Sequence, residues 1–187
     1  MDQLVFQHLQ NHIEATMMMG ENCGEKITDA AEKITQRLLS GQSIFCCGVG
    51  ETTAASQLLV HYLTTGYQIE RPGFPAIHLD RLAEADKQED CFSNLLHIHG
   101  KNGDILVVFS SGNKNILLQN AIDTAIEKGL LVLLISATND QLLTEKLSQQ
   151  DIAIICADFG QQSNSAVNFL IIQCLCALID NIIFGEN

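Results

Sequence analysis

Apolar side chains at Phe6, Leu9, Ile13 and Met17 recur at helical spacing, so residues 4–19 read as one face of a helix. A second helix is expected from Ile27 to Leu39, with Thr28 or Asp29 near its start and Gly41 stopping it. Ser43–Cys47 is a short apolar run that suits a buried strand. A glycine loop follows, and Thr52–Thr65 returns to a helical pattern. The stretch RPGFPAIHL, from Arg71, holds both prolines of the chain and reads as a turn leading into a short strand. Polar Glu84–Asp90 opens another helix that ends near Gly100.

The second half alternates more regularly. Strands are expected at Asp104–Phe109, Leu130–Ile135 and Asp151–Cys156. Helices are expected at Asn115–Lys128, with Gly129 as its C-cap, at Gln141–Leu147, and at Ser163–Phe184. Strands that are apolar on both faces, alternating with helices, predict an α/β protein with a parallel sheet covered by helices. No linker or internal repeat divides the chain, so residues 1–187 read as one domain with a helical segment over about 1–40. On the final helix, Leu170, Ile171, Ile172, Leu175, Leu178, Ile179, Ile182 and Ile183 cover nearly every side. A helix apolar all round must be buried all round, which points to a subunit interface.

Charge and composition narrow the function. The net charge is −12 with only ten basic residues, none of them clustered, which argues against direct nucleic-acid binding. A protein partner or small ligand fits better. No uncharged apolar run reaches the ~18 residues of a membrane span. The opening MDQLVFQHLQ lacks the pattern of a secretory signal, so a cytoplasmic protein is expected. The seven cysteines (Cys23, Cys46, Cys47, Cys91, Cys156, Cys174 and Cys176) sit without any C-x-x-C spacing and read as buried, reduced thiols.

Two loops carry candidate chemistry. The first, Gly48-Val49-Gly50-Glu51-Thr52-Thr53, joins a strand to a helix start. Its glycines allow close backbone approach, and the helix N-terminus favours an anion. It lacks the Gly-Lys-Ser/Thr of a Walker A loop and the third glycine of a dinucleotide fingerprint, and Glu51 opposes an anion. The second, Ser110-Ser111-Gly112-Asn113-Lys114-Asn115, also follows a strand and precedes a helix. Either loop is equally readable as a capped turn without a ligand. At the carboxyl ends of parallel strands the two would share one crevice. The histidines (His8, His12, His61, His78, His97 and His99) show no acidic partner at metal-ligand spacing and read as surface or partly buried residues. Asp80, Asp86 and Asp90 read as a solvated face.

Five segments carry a resemblance: CCGVGETTAA, ERPGFPAI from Glu70, the Gly103-Asp104 strand start, FSSGN, and CLCALIDNIIF near the end. Through them the chain resembles the SIS (sugar isomerase) domain family, in the branch shared by phosphoheptose isomerase and the initiator-associating protein DiaA. The resemblance implies a three-layer fold with a five-stranded parallel sheet flanked by helices, and a homotetramer. In phosphoheptose isomerases a His and a Glu four apart follow the first loop, and the final helix carries a Gln and, eight residues on, a His. The matching positions here are Leu58, Tyr62, Ser165 and Gln173. The resemblance therefore implies no catalytic residue, metal site or cofactor in this chain. It implies a vestigial phosphosugar site at Gly48, Gly50, Thr52, Ser110, Ser111 and Asn113. It also implies a DnaA-type replication initiator as partner, contacted through Ile183 and Phe184. The alternatives are a sugar-phosphate isomerase with an unusual constellation and a sugar-phosphate-sensing binding protein.

Overall fold

The computed structural model describes residues 2–80, 89–136, 140–156 and 161–185. Five strands, β1 (Ile44–Gly48), β2 (Ala76–His78), β3 (Ile105–Ser110), β4 (Leu131–Ser136) and β5 (Ile152–Ile155), form one sheet. All pairings are parallel, in the order β2-β1-β3-β4-β5. The helices are α1 (Asp2–Leu39), α2 (Thr53–Thr65), α3 (Cys91–His99), α4 (Ile116–Glu127), α5 (Gln141–Thr144) and α6 (Gln161–Phe184). A 3₁₀ turn, Gly50–Thr52, leads into α2.

The period-two alternation of the strands separates two cores. Ile44, Cys46, Ile105, Val107, Phe109, Leu133 and Ile154 pack with α1, α2 and α6. Phe45, Cys47, Leu106, Val108, Val132 and Leu134 pack with Phe92 and Leu96 of α3 and Leu118 and Ile122 of α4. Burial on both faces is what the continuous apolar runs of β1, β3 and β4 require.

One correction concerns the N-terminal region. The two expected helices are a single helix of 38 residues that runs through Gly20 and Gly24, at both of which a Cβ would meet open space. Ala15, Met19, Cys23, Ile27, Ala30 and Ile34 are buried and keep one helical phase across the polar GENCGE stretch. That shared phase outweighs the roughly 1 kcal/mol that each exposed glycine costs a helix. The helix ends at Gly41, whose φ of 79° suits the left-handed residue after a helix.

The helix lies antiparallel to the strands. Near its end Arg37 Nη1 donates to the Gly103 carbonyl, just ahead of β3. Farther up, Cys23 Sγ sits 3.9 Å from Cys156 Sγ, just after β5. The first half of α1 therefore extends past the carboxyl edge of the sheet. There Leu4, Val5, Phe6, Leu9, Ile13 and Met17 are exposed.

The final helix is covered in part by its own chain. It is long and apolar enough to span a bilayer, yet it packs against α1 and α2, and Val167, Ile171, Ile172, Leu175, Cys176 and Ile179 are buried within the chain. One side of its apolar girth is thus covered within the chain, while Phe169 and Ile182 stay exposed, and a further open apolar surface lies on α1.

Of the seven thiols, Cys174 is exposed and the other six are buried. Burial pushes Cys46 and Cys47 well above the ordinary thiol range, with nearby charge adding to the effect. All seven are free, as expected for reduced thiols.

Candidate functional site

β1 and β3 are neighbours whose onward connections leave in opposite directions, so their carboxyl ends form the topological switch point of the sheet. A cavity of about 280 Å³ opens there. It is lined by Val49, Gly50, Glu51 and Thr52 of the first loop and by Ser110, Ser111, Asn113, Asn115 and Leu118 of the second loop and α4. The two loops share one crevice, and five of the six residues of the expected phosphosugar site line it.

Gly48, the sixth, lies behind the cavity at the end of β1. A Cβ on Gly48 would come 2.5 Å from the Thr52 carbonyl oxygen, so its glycine is needed for packing. Gly50 adopts φ 65° with open space above it and serves the turn itself.

The hydroxyls face inward. Thr52 is buried, and its Oγ1 accepts from the Val49 N–H at 2.9 Å. The same hydroxyl has the Phe109 carbonyl at 2.9 Å and the Val49 carbonyl at 3.1 Å as acceptors. Thr52 thus pins the first loop to β3. Ser110 is fully buried; its Oγ donates to Asp140 Oδ2 at 2.7 Å and accepts from the Gly112 N–H at 3.1 Å. Asp140 is buried too, and its other oxygen caps α5 through the Leu143 N–H. Ser111 is only partly buried, and it accepts from Asn113 Nδ2 at 3.3 Å. Asn115 Oδ1 caps α4 through the Leu118 N–H.

Electrostatics at the crevice are mixed. The α4 N-terminus favours an anion. Glu51 at the wall and the Asp140 carboxylate beneath Ser110 oppose one. No Lys, Arg or His is among the described lining residues, and Lys114 is exposed outside them. The cavity has room for a small ligand, with Glu51 as its one titratable lining group among the described residues.

The four isomerase positions gather no chemistry. Leu58 packs against the core, the Tyr62 ring lies 4.8 Å from that of Tyr67, and Ser165 and Gln173 are partly buried on α6. His61 is exposed. This set does not fit a metal, since leucine offers no lone pair, and no group of three or more His, Cys, Asp or Glu among the described residues is placed to hold one.

Three features were missed in the sequence. The first is Asp140, whose role depends on a contact 30 residues away in the chain. The second is a buried Ser56–His78–Asp80 cluster. His78 Nε2 lies 2.8 Å from Ser56 Oγ and 2.9 Å from Asp80 Oδ2. Both oxygens meet the same ring nitrogen and Ser56 is fully buried, so the arrangement is a structural network rather than a nucleophilic triad. Asp80 is therefore not solvated as expected; Asp90 is exposed, and Asp86 lies outside the described residues.

The third feature lies at the other end of α2. Arg71 is buried and ion-paired with Asp180 of α6. It also donates to the Leu63 and Tyr62 carbonyls at 2.9 and 3.1 Å, closing the C-terminus of α2. Its guanidinium stands 4.0 Å from the centre of the Phe74 ring, and Phe74 stacks on Phe184 at 6.3 Å. Phe184 remains 45% exposed, Ile183 packs partly against the core, and Ile182 is exposed. His97 and His99 are exposed on the last turn of α3 and do not form a pair.

The comparisons with known proteins agree with this geometry. The chain is 28% identical over 187 residues to a phosphoheptose isomerase from Methylococcus capsulatus, covering 96% of each protein. It is 26% identical over 179 residues to the DnaA initiator-associating protein DiaA of Klebsiella pneumoniae, covering 92% of this chain and 91% of that one. The fold matches a solved phosphoheptose isomerase from Francisella tularensis with a TM-score of 0.87, at 21% identity over 96% of this chain and 97% of the other. The SIS domain model matches residues 8–137, and the chain belongs to the SIS domain family.

Proposed function

We propose that the protein is a non-catalytic, DiaA-like member of this family that binds a DnaA-type replication initiator and promotes its assembly at the chromosomal origin. It acts in the cytoplasm as one SIS domain per chain, assembled as a homotetramer, and does not itself hold nucleic acid. The observation that carries the reading is the replacement of the isomerase set by Leu58, Tyr62, Ser165 and Gln173, away from the cavity. A leucine neither moves a proton nor holds a metal. The relative named as a DnaA initiator-associating protein supports the partner. The exposed apolar face of α1 supports assembly of several copies. Several identical faces raise the effective concentration of bound initiators without stronger individual contacts.

We assign the contact to Ile183 and Phe184 at the end of α6, a reading supported by Phe184 being half exposed and stacked on Phe74. A preset aromatic is a typical anchor for a partner. The test is binding of the chain to DnaA from the same organism on a sensor surface, with Phe184→Ala alongside. The wild type is expected to bind, and Phe184→Ala to lose at least tenfold in affinity while keeping its melting temperature within a few degrees and its oligomeric state. No wild-type binding would sink the reading.

A second reading is favoured by the 280 Å³ crevice at the switch point: a sugar-phosphate sensor whose ligand adjusts partner binding. It requires a rise in melting temperature with heptose or hexose phosphates at millimolar concentration, since a ligand of the native state stabilises it by mass action.

A further inference from the structure

The unbroken helix α1 places His8 and His12 four residues apart on one face, near the end that extends past the sheet. Their rings meet edge to face with centroids 4.7 Å apart, and Nε2 of one lies 3.2 Å from Nε2 of the other. Two imidazole nitrogens that each bind one metal ion at 2.0–2.1 Å stand about 3.3 Å apart at a tetrahedral angle and about 2.9 Å apart at a right angle. The observed separation falls between these limits. The separation is thus one that a single ion can span, once the hydrogen bond between the rings gives way to it.

We propose that His8 and His12 form a two-nitrogen chelate for a borderline divalent transition-metal ion of the Zn²⁺, Ni²⁺ and Cu²⁺ group. Neutral imidazole suits these ions, whereas Mg²⁺ and Ca²⁺ prefer oxygen. No third His, Cys, Asp or Glu among the described residues joins the pair, so water fills the remaining positions. The Nδ1 of His12 is buried without a hydrogen-bond partner, which leaves Nε2 as the nitrogen turned outward. Without an acceptor behind that ring the site is a weak one, since second-shell partners ordinarily raise metal affinity tenfold or more. The net charge of −12 favours cation approach. The ion would bridge one turn of a helical segment that makes little contact with the rest of the chain, so binding would hold residues 4–16 in helical form. The site is independent of the crevice and of the contact at the end of α6, but it lies on the same stretch of α1 whose apolar face supports assembly.

The test is calorimetric titration of the full chain with NiCl₂ and with ZnCl₂. All proteins carry Cys174→Ser, which removes the exposed thiol as a rival ligand. His8→Gln and His12→Gln are each expected to weaken binding at least tenfold, whereas His61→Gln leaves it unchanged. Amide exchange over residues 4–16 is expected to slow on metal addition in the parent and not in the double variant. If the double variant binds as tightly as the parent, or if the parent binds neither ion at millimolar concentration, the two rings share a hydrogen bond only and the proposal fails.

Discussion

The two ends of α2 solve opposite problems. At its start, the crevice between β1 and β3 is built from polar side chains whose bonds are directed into the protein: Thr52 to Phe109, Ser110 to Asp140, Asn115 to its own helix. At its finish, thirteen residues and about 20 Å away, a buried ion pair lies under the Phe74 ring, and the Phe184 ring stacked on Phe74 stays open to solvent. The polar end looks like a ligand site from its composition, and its polar groups are already engaged. The apolar end looks like core from its composition, and it reaches the surface. Residue type alone therefore misleads at both ends, and hydrogen-bond accounting separates them.

The largest effect that tests this contrast is at Arg71. Arg71→Ala leaves Asp180 charged and unpaired in the interior and opens the end of α2, so a loss of about 3–5 kcal/mol is expected in urea unfolding. Pairing Arg71→Met with Asp180→Leu is expected to recover most of that loss. Failure of the double variant to recover would mean that the α2 carbonyls, not the ion pair, dominate.

At the other end, Thr52→Val removes a hydroxyl with partners on two elements while keeping its shape. A loss of about 1–3 kcal/mol is expected, because the Val49 N–H and Phe109 carbonyl are left unsatisfied. A variant of unchanged stability would show instead that these bonds add little to the fold, and the pinning of the first loop to β3 would have to come from elsewhere.

The smallest effect is alkaline. Burial raises the Cys176 thiol to about 12, with the Asp180 charge adding to it and Arg71 opposing it. The unfolded chain releases this proton near 9.0, and the folded chain holds it. Stability from this group is thus complete below pH 9 and falls as pH rises towards 12, by at most about 1.4 kcal/mol per unit. Cys176→Ala is expected to lessen that alkaline slope by this group's share, the buried Cys46 and Cys47 thiols keeping the rest, measured by denaturant unfolding at pH 8, 9 and 10.

Much of the architecture was legible because strand runs and helical stripes are local. β1, β3 and β4 fall within one or two residues of their expected bounds, and Asn115 and Gly129 mark the ends of α4 as read. The convergence of the two loops follows from parallel strands alone. What was not legible depends on partners distant in sequence. Thr52 and Ser110 read as available hydroxyls because nothing local reveals the Phe109 carbonyl or the Asp140 carboxylate. The polar GENCGE stretch read as a break because its two glycines are conspicuous, whereas the Cys23 contact that continues the buried stripe lies with Cys156. Arg71 had a signal that went unused: it sits beside a proline, and a single aspartate interrupts the apolar run of the last helix.

The packing of α1 against α6 has a consequence for how the chain is made. The inward stripe of α1 leaves the ribosome ahead of α6, its main partner helix, by an interval of roughly 120 residues. At ~5–20 residues per second that is a wait of about 6–24 seconds. During that time part of an amphipathic stripe waits for the helix that will cover it, an interval in which a nascent chain is open to misassociation.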